Sequence, residues 1–368
     1  MSRSIPTLVF LALAAAQIGD AGAHTPAVEP GIPFPRAQLV QFARQVARRD
    51  GLSRRAVLKV LTHARAQPQI IDKISRPAEQ VLQWWQYRQI FLTEKRIAAG
   101  AGFWQEHRDA LERVSAEEGV PPQYIVAILG AETFYGHITG SYRVLDSLAT
   151  LAFDYPPRAH YFRSELEKFL VLTHRERIDP LAVKGSYAGA MGPLQFMPSA
   201  YLRYGVDGND DGQRDLFTDW DDIFASVAHY LQQCGWQPGG PVVADVRIDP
   251  GATFQIDPSN LRLDTTIDGL NAQGVRVVEG DVPGNTPVVL LLAQQQDGPT
   301  YRVGFNNFHA LTRYNHSALY AMAVDELARA IALRATPSGP GVTPTVTPAA
   351  TPAAKSAGNV DRTKRSAR

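Results

Sequence analysis

The sequence predicts a mainly α fold of the α+β class, helical over most of its length and interrupted by one small β subdomain. Two observations carry this. Apolar residues recur at spacings of three and four in one stretch after another, and a single region, residues 241–303, breaks that rhythm with short β-branched runs between Gly, Pro, Asp and Asn. A hydrophobic share of 45% over 368 residues is enough to build a sizeable core.

The elements follow in chain order. Residues 1–23 have the three parts of a secretory signal: the basic start MSRS, the apolar run from Ile5 to Ala16, and the small residues Ala21-Gly22-Ala23, after which cleavage is expected. The run is shorter than the roughly 20 apolar residues of a membrane span. Residues 24–34 are a Pro-rich leader unable to form a regular helix. A helical region, residues 35–240, then begins with Leu39, Phe42 and Val46, stops at Asp50-Gly51, and restarts behind a capping Ser53 with Val57, Val60 and Leu61. Further helices are predicted over Phe103–Val114, Gln123–Phe134, Tyr161–Leu172 and Ile223–Cys234.

Within 241–303 the runs VVADVRI, TFQI, GVRVV and PVVLLLAQ read as strands. Residues 304–334 return to the helical part through a helix over Ala318–Leu333. The last residues, 335–368, are rich in Ala, Thr, Pro, Ser and Gly and bury too little apolar surface to fold. Trp84 and Trp85 read as core, with a partner contact as the alternative.

Lysine and arginine number 37 against 36 acidic residues, a formal charge of +1, so no global basic field marks a nucleic-acid or anionic-membrane binder. One cysteine, Cys234, rules out an internal disulfide, and it lies too far along the chain to be a lipid-attachment site behind the signal. The histidines lack the close spacing of a zinc site, and GSYAG lacks the strand-turn-helix setting of a serine nucleophile.

Two segments carry candidate chemistry. In VPPQYIVAILGAETFYG, Pro121 and Pro122 suit a helix start and Gly136 its end, while Glu132 falls seven residues after Ile125 on the apolar stripe. Burial disfavours an ionised carboxyl, so a glutamate in an apolar wall can keep a proton to donate to a leaving oxygen. An ion pair with Arg143 or Arg158 is the structural alternative. In KGSYAGAMGPLQFMPSAYLRYG, three glycines and two alanines closely follow Lys184 and indicate a tight backbone approach, to which Ser186 and Gln195 add polar side chains; a plain glycine turn leading to a helix near Pro198 is the alternative.

A third segment, D-G-N-D-D-G-Q-R-D from Asp207, matches an EF-hand loop at Asp207, Asn209, Asp211, Gly212 and Asp215, with Gln213 between. Position twelve is Thr218, so the closing acid is missing unless Asp219 shifts inward. A structural calcium or sodium ion is a candidate here, with a bare Asp/Asn/Gly turn as the other reading; no cofactor is expected to be required for chemistry.

The segments AILGAETFYG, RVLDSLATLAFDYPPRAHYFRSEL, GSYAGAMGPLQFMPSAYLRYGVDGNDDG and ALTRYNHSALYAMAV closely resemble the lytic murein transglycosylases of the membrane-bound B type, over residues 35 to 333. The resemblance implies a lysozyme-like helical catalytic core with an extra helical region and a small β subdomain. It implies a periplasmic enzyme whose partners are peptidoglycan glycan strands and, as a further candidate, cell-wall synthesis proteins. It also implies non-hydrolytic cleavage of the β-1,4 bond between N-acetylmuramic acid and N-acetylglucosamine, closing a 1,6-anhydro ring. Glu132 then takes the catalytic position, Ser186 and Gln195 line the site, and Tyr230, Tyr314, Asn315 and Tyr320 match sugar-contacting positions. Where the family has two adjacent arginines, this chain has Pro157 and Arg158, which leaves one to bind substrate.

A hydrolase needs a second carboxylate, roughly 5 Å from the first or about 6.5–9.5 Å away. Asp146 and Asp154 are the nearest in sequence, but DSLATLAFDYP reads as a helix that Asp146 caps and Asp154 ends. Water-using cleavage and a silent glycan-binding protein remain the alternatives.

Overall fold

The computed structural model describes residues 31–75, 82–278, 280 and 282–335. The secretory signal and most of the Ala/Thr/Pro-rich tail read from sequence lie outside the described residues. The predicted periodicity is realised first in α1 (Arg36–Asp50) and α2 (Arg54–Leu61), separated by Gly51 at φ 71° and capped by Ser53 Oγ, which accepts from Ala56 N at 3.4 Å. The end of the leader is extended rather than helical. Ile32–Pro33 (β1) pairs antiparallel with Arg65–Ala66 (β2), and Phe34 is buried edge-on against Phe153 at 5.3 Å. At the other boundary Ala335, assigned to the tail, is the last residue of a helix.

The single helix predicted over Phe103–Val114 is two. After α3 (Pro68–Ile74) and α4 (Trp84–Phe91), α5 (Glu94–Glu106) ends at His107 and α6 (Arg108–Glu118) begins there. The His107 ring packs against Phe103, Trp220 and Phe224, an aromatic cluster that fixes the corner. Next come α7 (Pro122–Thr133), α8 (Val144–Asp154), α9 (Ala159–Arg175), α10 (Pro198–Tyr204) and α11 (Trp220–Gln233). Asp146 does not cap α8: Arg143 holds that position, and the Asp146 carboxylate instead accepts from the Arg143 guanidinium and from Arg65 N at 2.8 Å.

Short strands Tyr142–Arg143 (β3) and Lys184–Gly185 (β4) pair between α7 and the glycine-rich segment. The β region is a five-stranded sheet built from β5 (Val243–Ile248), β6 (Thr265–Thr266), β7 (Val275–Val277), β8 (Pro287–Gln294) and β9 (Pro299–Gly304) in the order β6-β8-β9-β5-β7, with neighbouring strands antiparallel. TFQI is not a strand; Phe254 packs edge-on against Tyr301 at 5.1 Å, and PTYRVG supplies the ladder partner for both β5 and β8. A short helix, α12 (Ile267–Ala272), crosses between β6 and β7.

Period-two alternation gives β8 two dry faces. Val289, Leu291 and Ala293 join the main core, while Val288 and Leu290 join Ile267, Leu270, Val275, Val303 and Phe305 in a small second core. The chain then returns through two helices, α13 (Asn306–Tyr314) and α14 (Ala318–Ala335), and α14 packs along α4, α5 and α7. This packing brings the C-terminal tyrosines to the back of α7. No helix among the described residues is long and apolar enough to cross a membrane.

Candidate active site

Two prolines start α7 without wasting amide donors, and the segment from Ile125 to Thr133 is buried throughout. Glu132, at its last turn, is 2% exposed. The two arginines that sequence offered as partners are engaged elsewhere: Arg143 with Asp146, and Arg158 over the rings of Tyr161 and Phe162 at 4.6 and 5.2 Å. What meets Glu132 is a phenol. Tyr320 Oη, wholly buried on α14, donates to Glu132 Oε1 at 2.7 Å. Burial, reinforced by the Glu132 charge, pushes the Tyr320 and Tyr314 phenols well above their ordinary range, so both stay protonated donors.

The helix ends abruptly. Phe134, Tyr135 and Gly136 follow Glu132 and Thr133 with φ of 50°, 60° and 83°. Two successive non-glycine residues in the left-handed region cost energy that surrounding contacts must offset. Those contacts are present: Tyr135 Oη donates to Arg96 O at 2.8 Å, its ring stacks on Phe103 at 5.5 Å, and Gly136 N donates to Thr133 Oγ1 at 3.0 Å.

The glycine-rich segment is stitched to this turn. Thr133 Oγ1 donates to Pro193 O at 2.9 Å, Tyr314 Oη to Leu194 O at 2.7 Å, and Gln195 Nε2 to Thr139 O at 3.0 Å. The tight approach is backbone on backbone within the chain: a Cβ on Gly185 would stand 2.1 Å from Ala190 O, and one on Gly140 2.1 Å from Gly185 O. Ser186 Oγ accepts from Ala188 N and Ala190 N at 3.2 and 3.1 Å. Gln195, itself at φ 53°, also donates from Nε2 to Gly192 O at 3.0 Å.

Of the residues expected at the site, Tyr320 meets Glu132 directly, Tyr314 and Gln195 anchor the glycine-rich segment through Leu194 O, Thr139 O and Gly192 O, and Ser186 holds its own turn through Ala188 N and Ala190 N. Tyr230 is one layer further back, its hydroxyl donating to Arg313 O and its ring edge-on to Tyr314 at 5.0 Å. The rings of Tyr230, Tyr314 and Tyr320 and the side chain of Asn315 are buried, so none offers an open stacking face here. Arg158 sits at the start of α9, and no described contact joins it to Glu132. Sequence reasoning missed Thr133 and the strained pair Phe134-Tyr135; the only trace was Gly136 as a helix stop.

In the acidic loop, Asp207 accepts from Asp211 N and Gly212 N, Asn209 Oδ1 from Asp211 N, Asp211 from Gln213 N, and Asp215 from Phe217 N and Thr218 N. Asp219 does reach into the loop, its Oδ2 accepting from Asn209 Nδ2 at 3.0 Å, whereas Thr218 at position twelve supplies no acid. Thr218 donates its hydroxyl to Asp215, and Asp219 caps α11. Asp222, buried on α11, accepts from Gly208 N and Asp215 N at 2.7 Å each. Burial raises its pKa; the two backbone donors oppose that, while Asp219 and Asp207 add to it. Among the described residues no three His, Cys, Asp or Glu side chains converge tightly enough to form a metal cluster.

A family model described as the transglycosylase SLT domain matches residues 35–329. The chain belongs to that family. It is 38% identical over 311 residues to the membrane-bound lytic murein transglycosylase B of Escherichia coli (strain K12), covering 81% of this chain and 83% of that protein. Among solved structures, catenated lytic transglycosylase SltB1 of Pseudomonas aeruginosa superposes with a TM-score of 0.76 at 41% identity, covering 81% of this chain and 98% of that one. The Escherichia coli lytic transglycosylase Slt35 in complex with calcium gives 0.74 at 37% identity, covering 84% and 97%. The SLT-domain enzyme described here is therefore a lytic transglycosylase acting on peptidoglycan, with the mainly α, lysozyme-like architecture of its relatives.

Proposed function

We propose that Glu132 serves as both acid and base in non-hydrolytic cleavage of the β-1,4 bond between N-acetylmuramic acid and N-acetylglucosamine. The observation that carries this is a buried carboxyl at a strained helix end, met by a phenol from Tyr320. Protonated Glu132 gives its proton to the departing N-acetylglucosamine oxygen as the glycosidic bond breaks. The resulting carboxylate, held by the Tyr320 O–H, takes the proton from the muramic acid 6-hydroxyl as that oxygen bonds to the anomeric carbon. Acid is regenerated, and no water is consumed.

The polar lining suits an N-acetyl group. Ser186 Oγ already accepts two amide hydrogens, so its own O–H is left to donate to the acetyl carbonyl. Gln195 spends its amide N–H groups on Thr139 O and Gly192 O, which leaves its Oε1 to accept from the acetamido N–H. Neither aspartate nearest in sequence is poised as a nucleophile: Asp146 is bound to Arg143, and Asp154 lines a separate hollow with Ile32, Phe34 and Thr150. This favours the anhydro route over hydrolysis. Digestion of purified peptidoglycan should give products lighter by one water than those of a muramidase; reducing-end muropeptides in their place would overturn the reading.

A second proposal concerns the loop from Asp207 to Asp222. Its oxygen donors have the hard chemistry that calcium prefers, and the buried Asp222, raised by burial and by its acidic neighbours, is the group a cation would relieve. Asp207, Asn209, Asp211, Gln213 and Asp215 would hold the ion with Asp222 closing the site. It would brace the entry to α11 and take no part in the chemistry. Export to the periplasm and association with cell-wall synthesis proteins are further expectations, the first checked by fractionating cells expressing the full chain.

A further inference from the structure

We propose that an open depression between α4 and the β8–β9 hairpin tip is an accessory glycan subsite that takes a neutral pyranose of the same strand the enzyme cuts. It is lined by Trp85, Arg88, Gln89, Gln295, Gln296 and Asp297 and has a volume of about 600 Å³. The inference rests on peptidoglycan as substrate but not on the assignment of Glu132.

The neighbouring tryptophans have opposite fates. Trp84 is buried in the main core, where the Arg302 guanidinium lies 5.2 Å from its ring. Trp85 is half-buried on the wall of the depression, with its Nε1 donating to Gln83 Oε1 at 3.1 Å, so the indole is held at a fixed angle. The floor is held as well. Arg88 donates from Nε and Nη2 to Glu326 Oε2 at 3.1 and 2.8 Å, and Glu326 Oε1 in turn accepts from Arg302 at 2.6 Å. The charge on Arg88 is therefore already matched. The hairpin tip is shaped by Gln295 N donating to Gly298 O at 2.9 Å. Among the described residues the side chains of Gln89, Gln296 and Asp297 make no hydrogen bond and are exposed.

The lining is thus a fixed aromatic face beside two uncommitted amides and one carboxylate, with no unpaired cation. Phosphate or a peptide carboxylate finds nothing to neutralise it. A pyranose fits both halves, because its axial C–H face is apolar enough to pack on an indole while its hydroxyls and acetamido group need the mixed donors and acceptors that Gln and Asp supply. The position is also apt. α4 packs against α14, the helix that carries Tyr320, the partner of Glu132; Tyr87 lies on the buried face of α4 and Trp85 on the wall of the depression.

The test uses Glu132→Gln protein, which removes turnover, with the β-1,4-linked N-acetylglucosamine disaccharide and hexasaccharide as probes in calorimetry. Trp85→Ala in that background should weaken hexasaccharide binding about five- to tenfold and leave disaccharide binding within twofold, and Trp85→Phe should retain most of the affinity. Gln296→Ala with Asp297→Ala should give a smaller loss of the same kind. Unchanged hexasaccharide affinity in Trp85→Ala would overturn the subsite, as would an equal loss for both probes. Displacement of the hexasaccharide by a free stem tripeptide, abolished in Trp85→Ala, would reassign the depression to peptide. In otherwise wild-type protein, Trp85→Ala should raise KM on intact sacculi while kcat on short muropeptides is unchanged; failure of the anhydro product would sink the proposed chemistry without touching the binding result.

Discussion

Two acidic regions of this enzyme are built from the same kinds of residue and treated oppositely by the fold. Glu132 is one carboxyl set in an apolar helix, stripped of solvent, and met by a phenol. The loop from Asp207 holds several acids, two of them, Asp210 and Asp211, exposed, and Asp207 and Asp211 accept from backbone amides of the loop itself. The first arrangement holds a single carboxyl out of water against a phenol; the second uses its acids to shape a turn. Environment rather than residue type separates chemistry from scaffolding.

The comparison is broken most sharply by Glu132→Gln, which should lower kcat by about 10³-fold or more while binding of glycan probes persists; turnover near the wild-type level would remove Glu132 from the mechanism. Tyr320→Phe deletes the O–H that steadies the carboxylate, and a charge-assisted hydrogen bond of about 1.5–3 kcal/mol sets an expected loss of about 10- to 100-fold in kcat. Stopped-flow or discontinuous assays should find KM nearly unchanged. If KM rises and kcat holds, Tyr320 contacts sugar instead.

On the loop side the effects should be smaller. Millimolar calcium should raise Tm by about 2–5 °C, and Asp222→Asn should abolish that gain with little effect on kcat. The pH dependence has a definite sign. Because its folded-state pKa is raised, Asp222 takes up its proton on acidification before an ordinary aspartate would, so the calcium gain should fade above the usual aspartate range rather than within it. A calcium-independent Tm at every pH would leave the loop a turn held by amides alone.

Much of this was legible in the sequence because local rules and tertiary packing agreed. The Ser53 cap and the Gly51 stop appear where spacing placed them, and Glu132 is buried as its position implied, although α7 is buried on every side rather than along one stripe. The failures share a cause, which is that the deciding contact comes from far along the chain. His107 breaks a helix through Trp220 and Phe224, and Asp146 leaves its capping role to bond Arg65 N as well as the neighbouring Arg143. At the site, the stripe position of Glu132 was readable, whereas its bond to Tyr320 spans 188 residues and left no periodic trace. The loop shows the complementary lesson: counting to position twelve ends at Thr218, while Asp219 and Asp222, at the start of the next helix, both bond back to the loop.

The two dry faces of β8 constrain how this enzyme can change length. A single residue inserted within Pro287–Gln294 would turn Val289, Leu291 and Ala293 out of one core and push Val288 and Leu290 out of the other, so the error is paid twice. The hairpin tip at residues 295–298 has no such double duty. A change of length at that tip should therefore leave the fold intact and alter only the depression that Gln295, Gln296 and Asp297 line, whereas the same change a few positions earlier should disrupt both cores.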